Sequence, residues 1–301
     1  MQTLLEKLIA VRRRDYDANF CHVEHDLKCD GPPTAVIRLH FVKADAAGEP
    51  RFRELARIMA TYITHFCLKA ERRADLDPVE HNEMFMRARD LFRKNKNSGQ
   101  VGELLIYFLL ETVLKAPQAY QKMRMTTNPT EERKGSDGVH LRWDPSDKVL
   151  EIIFAESKIW QSYSNAVADA FKSIEEFHDS ETKSHEIHAF TAGFSELTQD
   201  LQERLVSYLE GDNTSNCRQV QACLIGFDWS EYACLSDARR KKFIEEFEIR
   251  YRKWAEGKRA SLNSKLGGLK HKHLRFEFFM LPFRDVDDFR ELFLQALTGA
   301  K

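Results

Sequence analysis

The sequence has no apolar run that approaches the ~20 residues of a membrane-spanning helix. Hydrophobic residues make up 43% of the 301 residues and charged residues 31%, which is ordinary for one large globular domain or two modest ones. The segment Met1 to Asp17 also lacks the apolar core and small-residue cleavage site of a signal peptide. We therefore expect a cytoplasmic protein with a sizeable core.

Cysteine is scarce, with six residues at irregular spacing, which argues against a disulfide framework in a chain of this length. One cluster, Cys21-His-Val-Glu-His25 followed by Cys29, has residue types found in zinc sites. Its spacing fits no closed ligand pattern well, so we do not predict zinc there. A glycine-rich nucleotide loop is also missing, so we do not expect the chain itself to hydrolyse ATP.

No charge of one sign dominates, since the formal net charge is −1. A protein that binds DNA mainly through its overall charge would be strongly basic. Any nucleic acid contact must therefore be local or assisted by a partner. The best local basic segments are Arg239 to Lys242 and Lys265 to Arg275, although both also suit a solvated surface.

Apolar periodicity and turn residues predict an α/β fold, a mixed sheet flanked by helices, with a mostly helical N-terminal segment. The polar segment 94–99 contains no apolar residue and ends in a candidate N-cap, Ser98, so we place a domain boundary there, between 1–97 and 98–301. Predicted helices span 51–72, 78–94, 99–114, 162–179, 197–209 and 237–258, with a terminal helix after them. Predicted strands span 35–42, 187–192, 220–227 and 274–281, in addition to one hairpin.

The hairpin turn is Asp144-Pro-Ser-Asp147, in which proline occupies the second position of a four-residue turn. If Asp144 pairs with Asp147, the register places Asp137 opposite Phe154. Side chains on a strand alternate, so a slip of one residue would move a residue to the other face of the sheet. The next inference therefore holds only if the true register differs from this one by an even number of residues.

Two acidic residues and a lysine end the otherwise apolar face of this hairpin. Glu156 and Lys158 continue that face beyond Phe154, and Asp137 and Glu156 become diagonal neighbours, roughly 7–8 Å apart at Cα. Charged groups on a core-like face need partners or a metal ion. An ordinary ion pair between Glu156 and Lys158, and a turn role for Asp137 beside Gly138, are the simpler alternatives.

A buried helix is predicted to bring a third acid to the same place. The segment Val101 to Leu110 is apolar almost all round, and Glu103 is its one charged residue. If this helix packs on the apolar face of the hairpin, Glu103 can join Asp137 and Glu156. A first-turn glutamate also favours the helix dipole whatever its function, so that alternative stays open.

Three acids and a lysine are the groups that metal-dependent phosphodiester hydrolysis uses. Carboxylate oxygens hold Mg²⁺ or Mn²⁺ while leaving waters in place, and the ion can activate a water. Lys158 would orient or deprotonate that water and steady the developing negative charge. The residue types therefore predict metal ligands at Glu103, Asp137 and Glu156, with Lys158, Glu156 and Asp137 as the catalytic group.

At these residues the sequence resembles the PD-(D/E)xK nuclease superfamily. The matching pieces are Gly102-Glu103, Gly135-Ser-Asp137-Gly138 and Glu156-Ser-Lys158, with Ser136 where the superfamily has proline. The stretch from about 98 to 280 is similar to the HamA family, the nuclease subunit of Hachiman anti-phage defence, and to the related AbpA family. This resemblance implies a restriction-endonuclease-like sheet, the same ligands and lysine, and a supporting role for Gln161.

The resemblance also implies a helicase partner of the HamB or AbpB kind, a DNA substrate and a regulatory or partner-docking role for 1–97. The resulting hypothesis is a Mg²⁺-dependent DNA endonuclease in phage defence. Two alternatives remain. One is a non-catalytic subunit that keeps the fold and docks or gates a helicase, and the other is a nuclease that processes RNA.

Overall fold

The computed structural model describes residues 1–67, 77–92, 99–120, 136–179, 197–209, 216–234 and 240–299. Seven strands in these ranges form one mixed sheet. They are β1 (Phe20–Lys28), β2 (Ala35–Val42), β3 (Gln118–Tyr120), β4 (Gly138–Asp144), β5 (Val149–Ile159), β6 (Cys217–Asp228) and β7 (Arg275–Phe283). Their order is β1-β2-β7-β6-β5-β4-β3, with β2, β7, β6 and β5 parallel and the remaining pairs antiparallel.

Helices cover both faces of the sheet. In chain order they are α1 (Gln2–Glu6), α2 (Arg13–Asn19), α3 (Phe52–Cys67), α4 (Pro78–Leu91), α5 (Gln100–Val113), α6 (Tyr163–Asp179), α7 (Gln199–Leu209), α8 (Glu231–Cys234), α9 (Arg240–Gly268) and α10 (Val286–Thr298). Parallel strands between two helical layers bury both faces, which explains the nearly continuous apolar runs of β6 and β7. The predicted α/β class, a mixed sheet flanked by helices, is confirmed. No described helix is both long and apolar enough to cross a membrane.

The two faces of β5 pack against different helices. Phe154 points to the side on which Phe177 of α6 contacts it, with ring centroids 5.1 Å apart. The alternate residues point to the other side, where α5 packs: a Cβ on Gly102 would lie 2.7 Å from Ser157 Oγ. We call these the α6 face and the α5 face.

The N-terminal 97 residues are joined to the rest through the sheet and the core. Strand β2 lies beside β7 in parallel register, so the sheet crosses the predicted boundary. The Glu111 carboxylate on α5 also accepts hydrogen bonds from the backbone N–H groups of Ala10 and Val11, at 2.8 and 2.9 Å. A regulatory or docking role for this region remains a proposal, and any such role is performed by a segment packed into the common core.

Most predicted elements are present, with differences at their ends. Strand β2 has the predicted bounds, whereas β1 was not predicted, because its charged and histidine residues hide the apolar alternation. Helix α9 runs ten residues beyond the predicted end at position 258. The N-cap of α5 is Gly99, not Ser98, and has the left-handed φ of 71° that suits glycine. The predicted strand at 187–192 and residue Ser98 lie outside the described residues.

Candidate functional site

The hairpin register differs from the predicted one by two residues. The observed ladder pairs Asp144 with Val149 and Gly138 with Ala155. Four residues, not two, form the loop, because Asp144 Oδ1 accepts the Ser146 N–H and Lys148 adopts a left-handed φ of 55°. An even shift leaves every side chain on its predicted face. The predicted pair of Asp137 with Phe154 was therefore wrong, because Phe154 pairs with Val139.

Asp137 directly precedes Gly138, which forms the last pair of the β4–β5 ladder, with Ala155. The Asp137 N–H donates to Ala155 O at 2.8 Å, so Asp137 stays joined to β5 next to Glu156. One carboxylate oxygen of Asp137 accepts the backbone N–H of Ser157, also at 2.8 Å. This bond orients the carboxylate at the end of the hairpin. Asp137 and Glu156 are both buried, with 8% and 9% exposure, so their charges are held out of bulk water.

Lys158 lies next to Glu156 at the carboxyl end of β5. Its Nζ is 2.9 Å from a Glu156 oxygen and 3.6 Å from Asp169 Oδ2, which belongs to α6. Burial lowers the pKa of Lys158, but the charges of Glu156, Asp137 and Asp169 outweigh that effect and raise the pKa overall. The neighbouring carboxylates therefore favour the charged form of the lysine.

A buried cysteine, Cys223, lies beside the acid–lysine cluster. Cys223 on β6 pairs with Glu156 in the parallel ladder and points to the same face. Its thiol is fully buried, and burial together with the charge of Glu156 raises its pKa well above the ordinary value. A thiol with a raised pKa stays protonated and is a poor nucleophile. The chemistry of this site therefore belongs to the carboxylates and the lysine.

Glu103 lies in the first turn of α5 and is buried, with 9% exposure. We expected α5 on the apolar α6 face, and that expectation was wrong. The helix packs on the α5 face instead, where its apolar residues share a core with Ile153, Ala155 and Ile159. Helix α6 already fills the other face. The structure thus places Glu103 in the first turn of the helix that covers the α5 face, and its role as a ligand remains a proposal.

The donor set fits a hard divalent cation in chemical type. Asp137 and Glu156 supply carboxylate oxygens near Lys158, and such oxygens are the ligands that Mg²⁺ and Mn²⁺ prefer. In the described part of the chain, no three His, Cys, Asp or Glu side chains are already grouped as a metal site. Glu156 is ion-paired with Lys158, so a bound cation would have to share that carboxylate with the lysine.

Two members of the cluster were missed in the sequence. Asp169 comes from α6, eleven residues after Lys158, and nothing in helical periodicity marks it. Trp160 directly follows β5, and its Nε1 donates to Asp169 Oδ2 at 3.1 Å. The tryptophan two residues after Glu-x-Lys was the signal in the sequence that could have pointed to this contact.

The other residues singled out in the sequence are Gln161, the two basic segments and the cysteines. Gln161 donates to Asp287 at the start of α10, so it joins that helix to the end of β5. In the basic segments, Arg239 lies outside the described residues, Lys242 forms an ion pair with Glu246, and Arg275 forms one with Asp147. Five cysteines are free thiols: Cys21, Cys29, Cys67, Cys217 and Cys223.

These features define a class: an α/β protein with a mixed sheet and a buried acid–lysine cluster at the carboxyl end of a parallel strand, where open α/β sheets commonly bind ligands. The family model described as HamA matches residues 14–297, nearly the whole chain. The chain belongs to the HamA family, a family of Hachiman defence proteins. No curated protein matches it in sequence.

Proposed function

We propose that this HamA-family protein is a Mg²⁺-dependent DNA endonuclease, the effector of an anti-phage system that works with a helicase partner. The observation that carries the proposal is the grouping of two buried acids with a lysine at the end of the hairpin: Lys158 Nζ lies 2.9 Å from Glu156, and Asp137 is close enough for its charge to raise the pKa of Lys158. An ordinary surface ion pair would not require a second buried acid oriented by the Ser157 N–H. The family membership supports the defence context.

The residues divide the work by position. Asp137 and Glu156 would hold the metal ion, with Glu103 as a third ligand from α5. Mg²⁺, when bound, supplies an activated water and neutralises charge on the phosphate. Lys158, a cation held between two carboxylates, would steady negative charge as it develops on the phosphate oxygens. Because Asp137 and Glu156 are buried, water screens their charges less than it would at the surface.

Plasmid cleavage with Mg²⁺, with and without the helicase partner, tests the proposal. We expect the wild type to cleave DNA and Glu156→Ala and Lys158→Ala to lose at least ~100-fold, since even outer-shell partners of metal ligands are worth about 10–100-fold. Glu176→Gln, an exposed change on α6, is the matched control and should keep full activity. Equal activity in the wild type and both site variants would remove the enzyme assignment and favour the non-catalytic docking subunit.

A comparison of duplex DNA with RNA of the same sequence tests the substrate. DNA should be cut faster by the wild type. Preferential cleavage of RNA, lost in Glu156→Ala, would keep the site and replace the substrate.

A further inference from the structure

Trp160 has an unusual position for a tryptophan. Its backbone N–H donates to Gly226 O at 3.0 Å, so the residue continues β5 beyond its last assigned position. It lies two residues after Lys158, and alternation along the strand sends both side chains to the same face. The indole therefore lies beyond Lys158 on the same face, beside the acid–lysine cluster.

The indole is also exposed. Trp160 has 47% exposure, and among the described residues it is the one aromatic side chain in the group of exposed large apolar residues. The other three tryptophans, which are Trp143, Trp229 and Trp254, are buried or half-buried. Leaving this much apolar surface in water costs free energy, which favours a ligand that covers it.

The orientation of the ring is fixed from the cluster itself. Trp160 Nε1 donates to Asp169 Oδ2, and the same oxygen lies 3.6 Å from Lys158 Nζ. Asp169 thus connects the indole to the lysine that would face the phosphate. A flat, oriented aromatic surface next to a phosphate site is what base stacking on a protein requires.

We propose that Trp160 stacks on an unpaired base of the nucleic acid held at Asp137, Glu156 and Lys158. This inference rests on the proposed function and adds the substrate class, a strand with at least one unpaired base beside the bound phosphate. A base inside a duplex is already stacked on its neighbours and cannot offer its face to the indole. With a net charge of −1, the protein gains little from overall electrostatic attraction, so stacking supplies affinity that salt does not screen.

Binding of short fluorescein-labelled oligonucleotides, followed by anisotropy in EDTA and in Ca²⁺, separates this inference from catalysis. One stacked base is worth about 1–3 kcal/mol, so Trp160→Ala should weaken single-strand binding ~5- to 150-fold at every salt concentration. Trp160→Phe should keep most of the affinity, because phenylalanine still stacks. A blunt, fully paired duplex with GC pairs at both ends should bind the wild type and all variants equally.

The matched control is Trp143→Phe, which changes a half-buried tryptophan at the other end of the same hairpin face. It should bind both oligonucleotides like the wild type. Quenching of tryptophan fluorescence by the single strand should persist in Trp143→Phe and disappear in Trp160→Phe. Thermal melting of each variant confirms that the protein is folded.

Each other outcome overturns a defined statement. Wild-type single-strand affinity in Trp160→Ala, with cleavage intact, removes the stacking role and leaves the proposed function standing. Equal losses of affinity for the single strand and for the blunt duplex remove the preference for an unpaired base. Normal single-strand binding with loss of the helicase partner in co-purification makes Trp160 a docking residue instead. A wild type that neither binds nor cleaves nucleic acid, alone or with the partner, removes the proposed function and this inference with it.

Discussion

Asp169 Oδ2 lies 3.6 Å from Lys158 Nζ, although one residue belongs to α6 and the other to β5. The aspartate therefore joins a helix to the strand that carries Glu156. It contacts the lysine and the indole of Trp160, so it acts as a positioning residue for both.

Asp169→Asn should lower kcat about 10-fold and leave KM nearly unchanged. Asparagine still accepts the hydrogen bond of Trp160, so the change removes the charge beside Lys158 and little else; outer-shell partners of this kind are worth about 10–100-fold. Steady-state DNA cleavage measures the effect. Asp169→Glu should recover part of kcat, and Glu176→Gln on the same helix should behave as the wild type. An unchanged kcat in Asp169→Asn would show that Lys158 needs no second carboxylate.

Asp137→Asn should weaken Mn²⁺ binding at least ~10-fold, as measured by isothermal titration calorimetry. The amide oxygen can still accept the Ser157 N–H, so the fold of the hairpin should survive while the metal loses a charged ligand. Asp144→Asn is the control because it removes a charge at the far end of the same strand. Equal Mn²⁺ affinity in the wild type and Asp137→Asn would exclude Asp137 from the metal site.

The Asp144 carboxylate should make stability depend on acid. Burial raises its pKa, but hydrogen bonds from the Ser146 and Asp147 N–H groups and from Arg218 lower it more, so the net pKa is below the ordinary value. A lowered pKa stabilises the fold above about pH 4, the pKa of aspartate in an unfolded chain, and this contribution is lost as the pH falls through the folded-state pKa.

Asp144→Asn should therefore lower the free energy of unfolding by about 2 kcal/mol at pH 7, the size expected for hydrogen bonds to a charged group. The difference from the wild type should shrink in urea titrations carried out at successively lower pH below about 4. A gap that stays constant through this range would contradict the linkage to Asp144.

Two glycines should respond in opposite directions to alanine. A Cβ on Gly226 of β6 would lie 2.8 Å from Ile159 Cγ1 and 3.0 Å from a Phe283 ring carbon, so Gly226→Ala should cost about 1–3 kcal/mol. Gly257 lies inside α9 with nothing near its missing Cβ, so Gly257→Ala should add about 0.5–1 kcal/mol. Thermal and urea unfolding measure both. Equal signs would contradict the packing of β5, β6 and β7 described above.

The charged residues at the end of the hairpin show how much of the site could be predicted from the sequence. Glu156 and Lys158 could be assigned to one face because alternation along a strand is a local property, and an error of two residues in the hairpin register does not disturb it. The apolar stripe of residues 101–110 predicted a buried helix for the same reason. The error of two residues came from the length of the loop. Lys148 adopts a left-handed conformation there, which a lysine in the sequence does not predict.

The side on which a helix packs could not be predicted. Nothing in Val101 to Leu110 says which face of β5 it covers, because the segment is apolar almost all round. Helix α6 occupies the face of Glu156 and Lys158, which leaves the other face to α5. The same choice brought Asp169 to Lys158 and fixed the indole of Trp160.

The amino-acid sequence by itself determined the local periods: which segments are helices or strands, which residues share a strand face, and which charges end an apolar one. The tertiary structure decided the order of the strands and the neighbours of Lys158. It also decided the pairing of β2 with β7, which lie about 240 residues apart in the chain. The physical reason is that side-chain periodicity is set by bond geometry within a few residues, whereas contacts between distant segments depend on which surfaces bury the most apolar area once the whole chain has closed.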